Sequence, residues 1–268
     1  MQEENRQLKL QITARQLRAF YLIICAGDIG LLAINCLICA RPEIVDRNTP
    51  LGFVLSQLNL ASENVIGVWF SSLVFLLVAF AAMLCFWVDR GAGGAQASFI
   101  QKQLHYGWLP VAGICAVLSF DEVGSIHERL GESFDSLNLF KDHLAAWVGL
   151  FAPLMALVAL YLLIFFFWRV SESRLSQALA LAATLLWISA PAQEMIELKF
   201  KLSGQARGFE PVTEEGAELI GATLFLISFA EYTIARLKLQ RQYLPGIQIA
   251  SGDRSVVPAM PDLGVSRD

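Results

Sequence analysis

Carboxylates gather at three places where apolar runs of this sequence begin or end. The stretch SFDEVGSIHERL (119–130) leaves one run through Asp121 and Glu122 and then places His127 and Glu128. SAPAQEMIEL closes a second run with Glu194 and Glu197, and TEEGAEL opens a third with Glu214, Glu215 and Glu218. Oxygen donors with one or two histidines suit hard or borderline divalent cations such as Mg²⁺, Ca²⁺, Mn²⁺ or iron. At about 100° per residue, Glu194 and Glu197 lie about 60° apart on a helix, and Glu214 and Glu218 about 40°. Each pair can aim at one point. Glu122 and His127 diverge by about 140° on a straight helix, so a site holding both needs a bend, for which Gly124 is the residue at hand.

Named motifs are absent. His127-Glu128 begins H-E, but Gly131 stands where H-E-x-x-H needs its second histidine. The E-x-x-E spacings contain no histidine, unlike the E-x-x-H pairs of di-iron bundles. No G-x-S-x-G occurs, and three histidines cannot build the histidine boxes of membrane desaturases. Cys36 and Cys39 form C-x-x-C inside an apolar run and read as small packing residues. DRGAGGAQAS (89–98) lacks the G-K-[ST] ending of a phosphate loop.

The elements that must position these acids are membrane helices. The chain is 56% hydrophobic and 16% charged, against about a quarter charged in soluble domains. Spanning a bilayer takes about 20 apolar residues. Six segments meet this, at about 19–40, 65–88, 104–120, 144–168, 175–192 and 216–235. LGFVLSQLNL (51–60) is too short and reads as interfacial. The fold class is therefore all-α, a polytopic membrane protein with a bundle of about six transmembrane helices over residues 19–241. Residues 1–18 read as a cytosolic amphipathic segment and 242–268 as a disordered cytosolic tail. The net charge of −4 gives no footing for nucleic acid.

Lys and Arg set the orientation. Eleven fall at the ends that would share a side with the amino terminus, and seven at the opposite ends. Both termini are thus predicted to be cytoplasmic. Trp87, Trp108 and Trp168 then belong to the inner aromatic belt and Trp147 to the outer one. The three acidic helix ends fall together on the outer side.

The DE-x-x-x-x-HE pattern at a span end, with E-E-x-x-E opening the last span, resembles a family of uncharacterised bacterial multi-pass membrane proteins. The resemblance implies that Asp121, Glu122, His127, Glu128, Glu215 and Glu218 belong together, and that the chain sits in a bacterial inner membrane. It implies no activity.

The leading expectation is a cation-binding site at the outer face made by Asp121, Glu122, His127, Glu194, Glu215 and Glu218. It would hold a divalent metal ion and serve a metal-dependent enzyme acting on a lipid or lipid-linked substrate. Two other readings stand beside it. In a scaffold or accessory protein the same acids would be structural: Glu214 and Glu215 in the first turn of a helix capped by Thr213, Glu197 paired with Lys201, and Arg129, Lys141, Lys199 and Arg207 neutralising the others. In an ion-coupled transporter, Asp28 and Asn35 within the first span would line a polar route. The expected partners are membrane lipids and a second copy or a membrane partner protein; in the scaffold reading the small residues Ala217 and Gly221 mark helix packing or oligomer contacts.

Overall fold

Long apolar segments in a bilayer have no water to satisfy backbone groups, so each forms a helix that satisfies its own. The computed structural model describes residues 14–92, 104–126, 129–130, 133, 143–200 and 205–243. Of 14, 92, 143–151, 194–195, 197–200, 205–208, 210 and 240–243 it describes the backbone alone. The α-helices are α1 (Ala14–Ala40), α2 (Pro50–Gln57), α3 (Ile66–Ala92), α4 (Trp108–Gly124), α5 (His143–Arg169), α6 (Arg174–Phe200) and α7 (Gln205–Tyr243). Two short 3₁₀ turns, Pro42–Ile44 and His105–Gly107, complete the described elements. Six helices are long and apolar enough to cross a membrane, all but α2. The protein is an all-helical membrane bundle, as its composition requires.

Two helices overrun their expected ends by eight residues or more. α6 continues through Pro191 to Phe200, and α7 begins at Gln205 and passes through Pro211. A proline removes one intrahelical hydrogen bond, but breaking a helix at membrane depth would strand several backbone groups. The smaller loss is accepted. Glu194 consequently lies within α6 rather than at its end, while Glu197 falls in its last turn. Glu214 and Glu215 lie well inside α7, so Thr213 does not cap that helix and the first-turn dipole reading of these acids fails. At 39 residues, α7 is about 58 Å long at 1.5 Å per residue and outreaches a hydrocarbon core of about 30 Å.

α3 and α7 form the centre. More than half of the membrane-crossing window of each is buried, against 17–28% for the other four. α7 packs against α6, α3 and α1, α3 pairs with α4, and α5 packs on α6. The peripheral helices turn Leu22, Ile23, Val117, Leu157 and Leu185 outward, a surface suited to lipid. Two reciprocal serine clasps hold the main helix pairs. Ser72 and Ser119 each donate to the other's carbonyl oxygen at 2.8 and 2.9 Å, joining α3 to α4. Ser176 and Ser228 do the same at 2.6 and 2.7 Å between α6 and α7. The clasps close opposite ends of the bundle.

α2 is the short apolar segment between the first two spans. Thr49 caps it by accepting from Gly52 N at 3.0 Å, and Pro50 takes the first helical position. Leu51, Phe53 and Val54 are exposed, as an interfacial helix requires. Asn35 fixes the chain that follows: its Oδ1 accepts from Leu60 N at 2.8 Å, and its Nδ2 donates to Leu58 O at 2.9 Å. The residue expected to line a polar route is a structural clasp.

Candidate functional site: a carboxylate cluster

Glu122 stands in the last turn of α4, one turn beyond the Ser72–Ser119 clasp that ties α4 to α3. The helix stops at Gly124 because Ser125 turns left-handed, with φ of 45°, and donates its N–H to Asp121 O at 2.7 Å. The bend expected at Gly124 is therefore a helix end at Gly124–Ser125. His127 and Glu128, which that bend would direct, lie outside the described residues.

Glu215 and Glu218 stand on one face of α7, three residues and about 60° apart. The turn that carries them is held from two sides. A Cβ on Gly216 would come within 2.9 Å of Leu32 Cδ2, so glycine admits the close approach of α1. From α6, Trp187 donates its indole N–H to Glu218 O at 3.2 Å. The Trp187 ring is wedged between Phe75 of α3 and Phe225 of α7, with centroids 5.4 and 4.6 Å away. Three neighbouring helices thus fix this turn of α7.

Glu122, Glu215 and Glu218 come together. One carboxylate oxygen from each lies within 4.8 Å of those of the other two, and all three residues are half-buried. Like charges this close repel strongly where water is scarce, so the cluster is a place for protons, a basic group or a cation. Of the six residues the sequence singled out, these three converge. Asp121 adjoins Glu122 in α4 but falls outside the close trio. Glu194 has its backbone in α6, while its side chain, like all of His127, is outside what is described.

An apolar cavity of about 210 Å³ opens between α5 and α6, lined by Ala156, Ala159, Leu162, Thr184, Trp187 and Pro191 among others. Trp187 is thus shared between the cavity wall and the turn that carries Glu218.

The opposite end of the bundle holds a polar centre that sequence reasoning missed. Asp89, in the last turn of α3, is buried. Its Oδ2 accepts from Trp108 Nε1 at 2.7 Å and from Arg169 Nε at 2.8 Å. Its Oδ1 accepts from Tyr232 Oη at 2.9 Å and from Arg236 Nε at 3.0 Å. Arg236 also reaches Glu172 through Nη1 at 2.7 Å. One carboxylate therefore joins the ends of α3, α4, α5 and α7. Trp108, expected in an aromatic belt, is instead fully buried, because its N–H finds this acceptor. The signal in the sequence is one acid, Asp89, at a helix end of the same depth as Arg169 and Arg236.

The geometry defines a multi-pass helical membrane protein with a carboxylate cluster at one end and an ion-paired lock at the other. The chain belongs to the family of the domain of unknown function DUF8692, whose model matches residues 29–232. No curated protein and no solved structure matches it.

Proposed function

We propose that Glu122, Glu215 and Glu218 bind a divalent cation at the outer end of the bundle, and that the ion serves a reaction on a lipid or lipid-linked substrate. The observation that carries this reading is the convergence of three carboxylate oxygens to within 4.8 Å from two different helices. Three carboxylates offer up to six oxygens, a donor set that suits Mg²⁺, Ca²⁺, Mn²⁺ or ferrous iron. Asp121, His127 and Glu194 are the further donors proposed for the site. A cation held there would polarise a phosphoryl or carbonyl oxygen or acidify a water molecule. The cavity beside Trp187 supports a lipid substrate, since it offers an apolar place for a chain next to the residue that contacts Glu218.

The bias of Lys and Arg supports placing the cluster outside and both termini in the cytosol. The resemblance drawn from the sequence supports a bacterial inner membrane.

The test is elemental analysis of the detergent-purified protein after equilibration with Mn²⁺, Fe²⁺, Zn²⁺ or Ca²⁺, beside a Glu122→Gln/Glu215→Gln variant of equal monodispersity. Near-stoichiometric metal in the parent, lost in the variant, supports the reading. Equal metal in both, or none in either, sinks it.

A further inference from the structure

Asp28 lies midway along α1 and is only 4% exposed. Its Oδ1 is buried without a hydrogen-bond partner, and so is Oγ1 of Thr223 on α7. The two groups adjoin across the α1–α7 seam without being aligned for a hydrogen bond to each other. Contacts on either side fix the seam. Toward the carboxylate cluster, Leu32 meets Gly216. Toward the opposite end, Tyr21 Oη donates to Glu231 Oε1 at 3.3 Å. Along α7, Thr223 stands about 7 Å from Glu218 and about 12 Å from Glu231, at 1.5 Å per residue.

Among the described residues, no basic side chain is shown bonded or ion-paired to Asp28. Residues 19–40 of α1, 208–235 of α7 and 66–89 of α3 contain neither Lys nor Arg. α3 presents the ring of Phe70 to Gly27, beside Asp28. α7 presents Thr223, with Glu231 farther along it, bonded to Tyr21. On α1 itself the neighbouring titratable group is Cys25. An isolated carboxylate in such surroundings is costly, and the usual remedy is to take up a proton. A metal ion does not suit the place: it would find one carboxyl and one hydroxyl, since α1 and α7 run unbroken past it and use their carbonyls internally.

We propose that Asp28 is a proton-binding site within the membrane, with Thr223 as its partner. A hydroxyl both donates and accepts. Thr223 accepts from the protonated carboxyl and, after a rotation about its C–O bond, donates to the ionised one. The pair therefore serves both states of a site that takes up and releases a proton. Among the described residues the α1–α7 seam carries Asp28 in its interior and Glu231, bonded to Tyr21, nearer one end.

The experiment is infrared difference spectroscopy of the full-length protein in lipid, subtracting an Asp28→Asn variant from the parent. Asparagine mimics the neutral acid in size and charge, so the variant keeps the packing. The expected result is a protonated carboxylic C=O band at neutral pH that shifts in D₂O. It should disappear reversibly as the pH is raised and move to higher frequency in Thr223→Val. Should that variant misfold, Asp28→Glu in protein carrying aspartate labelled with ¹³C at the carboxyl gives the same reading, because the band then leaves the labelled frequency. An ionised Asp28 at neutral pH overturns the proposal. So does a protonated band that no pH removes, which would make Asp28 a fixed neutral packing group.

Discussion

The Asp89 carboxylate and the Trp108 indole N–H meet at 2.7 Å, where α3 ends and α4 begins. Trp108 is packed edge-on against Phe165 and Phe229, each 5.1 Å between centroids, so the indole is held by an aromatic cage while its one polar atom is held by Asp89. Arg169, whose guanidinium also lies over the Tyr232 ring at 5.8 Å, and Arg236 bring the ends of α5 and α7 to the same carboxylate. The α3–α4 pair and the α5–α7 group are thereby locked at one end.

Asp89→Asn leaves an acceptor for Trp108 but removes the charge that balances Arg169 and Arg236. Arg236 retains Glu172, whereas Arg169 loses its ion-pair partner. Removing one member of a buried ion pair costs about 3–5 kcal/mol, so the variant should unfold at a clearly lower temperature in detergent. Adding Arg169→Gln should recover part of the loss, because the stranded charge goes with it. A melting temperature for Asp89→Asn equal to the parent's would show that the lock does not hold the bundle.

Asn35 satisfies both the N–H of Leu60 and the carbonyl of Leu58, and it is itself fully buried. Asn35→Leu leaves these backbone groups without partners, at about 1–3 kcal/mol for a buried orphan. Faster amide hydrogen exchange at Leu60, with little change in α7, is the expected signature. Unchanged exchange would mean that the loop after α2 is held by other contacts.

Gly221→Ala sets two effects against each other. Alanine in a helix interior gains about 1 kcal/mol over glycine. Here, though, the new Cβ would stand 2.6 Å from Trp187 Cδ1 and 3.3 Å from Ala183 O. Trp187 cannot retreat, being wedged between Phe75 and Phe225, and overpacking costs about 1–3 kcal/mol. The overpacking should win, lowering the melting temperature and weakening any cation binding that depends on the turn bearing Glu218. A stabilised variant would show that Trp187 has room to move.

The bundle was legible in the sequence because hydrophobic length alone specifies membrane helices, and six apolar runs became six spans. The ends were less legible. Pro191 and Pro211 mark breaks in water, and the sequence offers no sign that the surroundings will make continuing a helix the smaller loss. The site was half legible. Glu122, Glu215 and Glu218 stood out as acids at apolar boundaries and were expected in one site, and these three converge. That Glu122 of α4 reaches the α7 pair depends on tertiary packing, which spacing along one helix does not contain. Asp89 was overlooked because DRG looks like the start of a loop. Its role depends on Trp108, Arg169, Tyr232 and Arg236, which reach it only through tertiary structure.

The cavity between α5 and α6 lets the proposed lipid and cation sites be tested apart. Ala159 lines it and is not one of the clustered carboxylates, so Ala159→Phe takes up part of its roughly 210 Å³ while leaving Glu122, Glu215 and Glu218 unchanged. If an apolar chain occupies this cavity, lipid co-purified with the protein and detected by native mass spectrometry should decrease in the variant. Metal content should stay at the parent's level. Loss of metal together with lipid would tie the two sites into one unit. Retention of the same lipid would place the chain elsewhere on the bundle, and the lipid reading of the carboxylate cluster would lose the support the cavity gives it.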